Sequence, residues 1–321
     1  MVHERCFVTG GAGFIGSHLV DKLIIEGHKV TVFDNLSSGR EEFIAQHKNN
    51  PNLKFVFGDL LELESLKKVI SNHNIVFHLA ANPDARMGIQ DTTLDLRLET
   101  LATYNTLEAM RCNGIKQIIL ASSGTIYGET PVIPLTEDYG PVLPISLYGA
   151  GKLASEGLVS AFCNTFDMQA WIFRFGNVVG SRTTHGVIFD FIQKLKNNPH
   201  ELEILGDGTQ TKPYLYVGDC IEGILYGFAN SRERVNVFNL GPSSATDVTT
   251  IAKVLVTELG LENVKFTYTG GDRGWAGDVP QVRFNPKKMK NMGWGTKFSS
   301  NAAVKKAIKE IVGDIKISSC R

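Results

Sequence analysis

The stretch TGGAGFIGSH at residues 9–18 decides the fold. It sets Gly10, Gly13 and Gly16 in a G-x-x-G-x-x-G pattern. The apolar run Cys6-Phe7-Val8 precedes it, and Leu19, Val20, Leu23 and Ile24 follow at helical spacing. The glycines therefore sit where a buried strand turns into a helix. They let the backbone turn tightly and approach a pyrophosphate, which rests on the positive helix N-terminus. Phe14 and Ile15 open that helix and are read with the glycines as cofactor-lining residues. A second strand, Lys29 to Phe33, ends at Asp34, 24 residues after Gly10. That is near the distance at which an acid reaches an adenosine ribose 2′-hydroxyl. A carboxylate there accepts the hydroxyl and repels a 2′-phosphate, so the pattern predicts NAD rather than NADP.

A chain of 321 residues is long enough for a large core and two lobes. Its composition is ordinary, 43% hydrophobic and 21% charged. The 33 basic and 33 acidic residues cancel, so no global charge points to nucleic acid or an anionic membrane. The five cysteines, Cys6, Cys112, Cys163, Cys220 and Cys320, are odd in number, scattered and without a C-x-x-C pair. They predict free thiols in a reducing cytoplasm, with no disulfide framework and no metal site. Glu4 and Arg5 directly precede the first strand, and no apolar run reaches spanning length, so neither a signal peptide nor a membrane span is expected.

Apolar runs alternate with amphipathic stretches through residue 178. Strands are expected at Cys6–Thr9, Lys29–Asp34, Leu53–Gly58, Ile75–Leu79, Gln117–Ser122 and Ala170–Phe175, with helices near 14–26, 61–72, 93–113 and 147–166. This alternation predicts an α/β fold, a Rossmann doubly wound parallel sheet covered on both faces, with ligands at the carboxyl ends of the strands. After residue 180 the pattern changes. A helix at 186–197, Leu202–Leu205, and 246–259, Val264–Tyr268 and 299–313 would build a smaller α/β C-terminal substrate lobe. Tyr214–Val217, a helix at 218–229 and Val235–Leu240 would return to the first lobe. The expected division is 1–180 plus 214–240 for the cofactor domain and 181–213 plus 241–321 for the substrate domain.

Ser122 and Ser123 end the fifth strand, and Tyr148 and Lys152 lie four apart in SLYGAGKLASE at a helix start. That spacing places both side chains on one helical face. A neighbouring ammonium stabilises a phenolate and lowers the tyrosine pKa from its usual value near 10. A tyrosine tuned this way can take a hydroxyl proton while hydride leaves the same carbon, and Ser123 can hydrogen-bond that oxygen. Of the eight tyrosines only Tyr148 has a lysine at +4.

With these residues in view, the chain resembles the extended short-chain dehydrogenase/reductase family, and within it the nucleotide-sugar 4-epimerases of the UDP-galactose 4-epimerase type. The resemblance rests on TGGAGFIGSH (9–18), VFDNLSSG (32–39), GDL (58–60), HLAA (78–81), ASSGTIYGE (121–129), YGAGK (148–152), RFGNVVG (174–180), ILGDGTQTKPYLYVGD (204–219), GDVP (277–280) and MGW (292–294). It implies that Asn35, Ser38, Gly39, Asp59, Leu60, Leu79, Ala80, Ala81, Ser122 and Phe175 join the cofactor site, with Tyr148 and Lys152. It implies a UDP-sugar site drawn from Ser123, Tyr148, Asn177, Val187, Ile204, Lys212, Tyr214, Arg273, Asp278 and Val282. There are departures. Lys212-Pro213-Tyr214 stands where the family has an R-D-Y segment, and a lysine offsets phosphate charge without bidentate geometry. Glu99 replaces an asparagine, and Pro83 replaces a lysine for which Arg86 is a candidate substitute.

The implied reaction inverts C4 of a UDP-hexose through a transient 4-keto sugar, with Tyr148 as base and then acid. A 4,6-dehydratase would carry an Asp-Glu pair after the residue matching Ser123, where this chain has Gly124-Thr125. A 4-dehydrogenase or 4-reductase stays open, and an NAD-sensing protein would not need the Tyr148–Lys152 pair. Val282 matches a position beside the sugar 2-substituent; being small, it would admit UDP-GlcNAc as well as UDP-glucose, unless it only packs the core. The family also implies a homodimer whose 93–113 and 147–166 helices pair into a four-helix bundle.

Overall fold

The computed structural model describes residues 4–319; Cys320 lies outside them. In chain order the elements are β1 (Arg5–Thr9), α1 (Phe14–Ile25), β2 (Lys29–Asp34), β3 (Leu53–Phe57), α2 (Leu63–Val69), β4 (Ile75–His78), α3 (Ala102–Cys112), β5 (Gln117–Ser123), α4 (Leu147–Phe166) and β6 (Gln169–Phe175). They continue as β7 (Asn177–Val179), α5 (Val187–Asn197), β8 (Glu201–Ile204), β9 (Thr211–Lys212), β10 (Tyr214–Tyr216), α6 (Val217–Asn230), β11 (Val235–Leu240), β12 (Thr246–Asp247), α7 (Val248–Leu259), β13 (Lys265–Tyr268), α8 (Lys287–Asn291) and α9 (Ser300–Ser319). The chain divides into two compact units. One comprises Met1–Ile126, Leu147–Arg174 and Ile224–Phe238; the other comprises Tyr127–Ser146, Phe175–Gly223 and Asn239–Arg321.

The first unit is built on the seven-stranded parallel sheet β11-β6-β5-β4-β1-β2-β3. Its central strands are apolar on both faces because helices cover both. Phe7, Val76, Ile118 and Ile172 are fully enclosed with Leu107 and Met110 of α3. In the parallel register Val8 lies opposite Val32 on one side and Phe77 on the other. Thr9, Asp34, His78 and Ser123 therefore all finish at the same edge of the sheet, where ligands of such folds bind.

The second unit has its own core. Ile188, Phe191, Ile192 and Leu195 recur at helical spacing along α5 and meet Leu202, Ile204, Ile251, Leu255, Val304 and Ile308. The pairs β13–β8 and β10–β7 are parallel and β12–β9 is antiparallel. Among the described residues no helix is long and apolar enough to cross a membrane.

Two differences from the sequence expectations matter. The expected helix at 93–113 opens with a wide π turn over Leu96–Leu101 before α3 begins. The strands β7, β9 and β12 are two or three residues long, too short for a periodicity to reveal.

His78 shows how buried polarity is satisfied at the sheet edge. Its Nδ1 and Thr9 Oγ1 are 2.8 Å apart, and its Nε2 and Thr103 Oγ1 are 3.1 Å apart. Thr103 Oγ1 then donates to Ser155 Oγ on α4. Burial, with the Lys152 ammonium second, pushes the His78 pKa down to about 3. An unfolded histidine takes a proton near pH 6.5, so below that pH the unfolded chain binds a proton that the folded one refuses. His78 should therefore remove ~1.4 kcal/mol of stability per pH unit as pH falls from about 6.5 toward 3. Urea unfolding between pH 6 and 4 should show a steeper loss for the wild type than for His78→Asn; parallel profiles would refute the assignment.

Candidate active site

The glycine loop meets the requirements of a dinucleotide pyrophosphate. Gly13 is the N-cap of α1 without a side-chain cap, and no acidic residue occupies the first turn, so the leading N–H groups of Phe14 and Ile15 face outward from the helix end unclaimed by a cap. A Cβ on Gly16 would lie 2.1 Å from Gly10 O, which is why only glycine lets the loop fold onto the helix. Asp34 Oδ2 accepts from Ala12 N and Oδ1 from Leu36 N, which pins the carboxylate beside the loop. Burial raises the Asp34 pKa against these two N–H donors. Gly39 lies against Asp34 and Ala12, with Ser38 half-buried beside it. Asn35 Nδ2 donates to Asp59 Oδ2, which joins the ends of β2 and β3. Leu60 is buried and its carbonyl accepts from Asn105; Leu79, Ala80 and Ala81 stay half-buried after β4. These residues form one connected rim, and its donors and acceptors suit a ribose diol and a pyrophosphate.

Ser122 and Arg86 both carry protein partners. Ser122 is buried and donates to Glu156 Oε1 at 2.5 Å, within a buried pair in which Glu156 accepts from Arg174 Nη2 at 2.8 Å. Its hydroxyl is thus committed to the core side of β5. Arg86, the candidate substitute for the lysine missing at Pro83, forks its guanidinium onto Asp84 at 2.8 and 2.7 Å.

The catalytic candidates converge at the start of α4. Tyr148 hydrogen-bonds Ser123. Ser123 Oγ also accepts from Thr125 N and Oγ1. Lys152 Nζ lies 5.6 Å from the Tyr148 ring centroid and donates to Ala121 O at 2.9 Å. The expected lowering of the tyrosine pKa is reversed in balance. Burial pushes the Tyr148 phenol up; Lys152 pulls it down, while Glu99 and Asp95 add to the rise.

Glu99 is the residue that motif reading missed as a functional neighbour. It is 2% exposed, and its Oε2 lies 2.8 Å from Lys152 Nζ. Its Oε1 accepts from Asn82 N at 2.8 Å. Both oxygens act as acceptors, as an ionised carboxylate requires. Asn82 Nδ2 in turn donates to Asp95 Oδ1, while Asp95 Oδ2 is buried without a partner among the described residues. The π turn brings Glu99 inward, and Gly151 makes room for it, since a Cβ there would lie 2.8 Å from Glu99 Cβ. A signal existed in the sequence. Glu99 shares its helical phase with Ala102, Thr103, Thr106, Leu107 and Met110, all buried, and a carboxylate in a buried phase needs a cation.

The second unit holds most of the substrate candidates. Lys212 Nζ pairs with Asp278 Oδ1 at 2.7 Å and also contacts Val279 O. Burial lowers the Lys212 pKa against the pull of Asp278. Arg273 lies 3.1 Å from Asp272 and 3.4 Å from Glu129, so both candidate diphosphate cations carry carboxylate partners. Val282 is buried and its N–H donates to Thr211 O, next to Lys212. Asn177 is exposed at the start of β7 and Phe175 is buried at the end of β6. Ile204 and Tyr214 belong to the core of this unit, with Val187 packed against it.

The chain is similar to known proteins along most of its length. The family described as NAD dependent epimerase/dehydratase matches residues 6–241. UDP-glucose 4-epimerase of Mycolicibacterium smegmatis is 34% identical over 73% of this chain and 76% of its own. UDP-N-acetyl-alpha-D-glucosaminuronate decarboxylase of Bacillus cytotoxicus is 29% identical over 96% of this chain and 97% of its own. A crystal structure of a UDP-galactose 4-epimerase is 39% identical and has a TM-score of 0.87, with 97% of this chain and 99% of that one covered. With the glycine loop, the Tyr148–Lys152 pair and this match together, the chain belongs to the NAD dependent epimerase/dehydratase family.

Proposed function

We propose that this protein is a cytoplasmic, NAD-dependent 4-epimerase of UDP-hexoses. The observation that carries the reading is the Ser123–Tyr148–Lys152 cluster followed by Gly124-Thr125, with no carboxylate pair at the end of β5 for eliminating water. NAD, when bound, supplies the hydride acceptor and donor for C4 of the sugar. The first unit would hold it, with the pyrophosphate at the N-terminus of α1, the adenosine ribose on Asp34, and Asn35 and Asp59 toward adenine. Lys152 has one N–H beyond those used on Ala121 O and Glu99, and that donor is suited to a ribose hydroxyl.

The chain's own residues then move a proton. Tyr148 would take it from the 4-hydroxyl and later return it to the same oxygen, once the 4-keto sugar presents its opposite face, while Ser123 holds that oxygen by a hydrogen bond. The second unit would hold UDP, with Asn177, Lys212 and Arg273 toward the diphosphate. Lys212 meets a phosphate as a point charge with one donor beyond those given to Asp278 and Val279. The exposed Leu96, Leu101 and Tyr104, with Leu147 and Phe166 of α4, support a homodimer built on these helices.

Tyr148→Phe should lower kcat by about 10²–10⁴-fold and leave bound NAD in place. Product analysis with UDP-glucose and no added reductant separates the reactions: the 4-epimer is expected, and loss of water or carbon dioxide, or accumulating NADH, would replace this reading with a dehydratase, decarboxylase or dehydrogenase.

Asp34 gives a second test. The wild type should bind NAD far more tightly than NADP, and Asp34→Ala should narrow the gap by removing both the acceptor and the repulsion of a 2′-phosphate. Calorimetry showing tighter NADP binding by the wild type would contradict it.

Val282 addresses the sugar. If it borders the 2-substituent, Val282→Tyr fills the space an acetamide needs. Overpacking costs about 1–3 kcal/mol, so the kcat/KM preference for UDP-glucose over UDP-GlcNAc should rise by roughly tenfold. An unchanged ratio in a folded variant would return Val282 to a packing role.

A further inference from the structure

We propose that Glu99 is a positioning residue that sets the acidity of Tyr148 by holding and balancing the ammonium of Lys152. A tyrosine–lysine pair lowers the phenol's pKa only to the extent that the ammonium's charge is felt at the phenol oxygen. Here that charge is met at 2.8 Å by a carboxylate with 2% exposure. At such a separation, out of water, the carboxylate offsets part of the ammonium's field at a group farther away, and the Tyr148 ring centroid is 5.6 Å from Nζ. Glu99 also fixes where the ammonium sits. With Ala121 O as the other partner, Nζ is tied between β5 and the π turn.

The carboxylate cannot swing away. Its second oxygen is held by Asn82 N, and Ser155 Oγ donates to the Glu99 carbonyl at 3.0 Å. The remaining charged groups around the cluster do not offset this balance. Asp95, bonded through Asn82, adds to it with the same sign. His78, on β4, is neutral above its pKa of about 3. Asp84 is paired with Arg86, Asp91 with Arg97, and Glu156 of α4 with Arg174. The family asparagine expected at this position would offer Lys152 a dipole and no charge. This chain's tyrosine should accordingly work as a base at higher pH than a pair without the carboxylate.

The proposal rests on Tyr148 being the acid–base group, and the experiment separates the two. The ultraviolet absorbance of tyrosinate is titrated in the as-purified protein, and the curve of the matching Tyr148→Phe variant is subtracted to isolate Tyr148. Glu99→Gln keeps the shape and removes the charge. Its Tyr148 midpoint should fall by about one pH unit, and the acid limb of the kcat/KM profile should move down with it, about tenfold in tyrosinate fraction at a fixed pH. Glu99→Asn is the second variant, smaller and uncharged, with the same expected direction. A midpoint and an acid limb that stay in place in either folded variant would overturn the proposal. So would a wild-type midpoint below the ordinary tyrosine value of about 10, a measurement that needs no Glu99 variant. Full activity in Tyr148→Phe would instead fail the catalytic reading and leave the absorbance titration to judge Glu99.

Discussion

Lys152 is an ammonium ion taken out of water, and much of the first unit is arranged around that fact. Removing such an ion from water costs several kcal/mol unless its donors find well-placed partners. Ala121 O supplies one at the end of β5, and Glu99 supplies a counter-charge. Bringing Glu99 inward needs the π turn, and closing that turn on α4 needs a glycine at position 151. One buried charge thus reaches into the shape of a helix, the identity of a residue on its neighbour, and the hydrogen bonds of Asn82 and Asp95.

The same helix repeats the arrangement one turn later. Glu156, four residues after Lys152, is a buried anion matched by Arg174 of β6, with Ser122 of β5 as a third partner. Two buried ion pairs of opposite sense on one face of α4 tie it to β5, β6 and the turn before α3. Buried pairs of this kind add little net stability over apolar packing, but a slipped helix would leave charges unpaired, and that is expensive. The arrangement therefore fixes the register of α4, and with it the positions of Tyr148 and Lys152 relative to the edge of the sheet where Ser123 lies.

The residues of the sheet edge were legible because each is announced locally. A glycine loop needs a strand before it and a helix after it, and an acid ends the next strand; Gly10, Gly13, Gly16 and Asp34 satisfy that within a window of 25 residues, short enough to read. Tyr148 and Lys152 share one turn of helix, and their spacing is their signature. Glu99 and Asn82 are different. Glu99 reaches Lys152 across 53 residues of chain and Asn82 reaches Glu99 across 17, and only the topology of β4, the π turn and α4 shows that they meet. The partner of Ser122 was hidden for the same reason: adjacent residues on a strand face opposite ways, and only the position of Glu156 decides which hydroxyl faces the core.

The second unit obeys a different constraint. Its candidate cations are already engaged, Lys212 with Asp278 and Arg273 with Asp272 and Glu129. For a half-exposed pair such as that of Arg273 the attraction is weak and screened, so an incoming diphosphate has little to displace. Lys212 is more enclosed, and burial already disfavours its charge. A dianionic diphosphate near it would do for the ammonium what Asp278 does now, with the added charge favouring the protonated form. Lysine's ammonium has three freely rotating donors, so it can be shared between a carboxylate and a phosphate oxygen without the planar alignment that an arginine's fork imposes. In this chain a lysine at position 212 is therefore compatible with both the fixed Asp278 and a mobile phosphate, and the departure from the family's R-D-Y segment need not cost the site its anion.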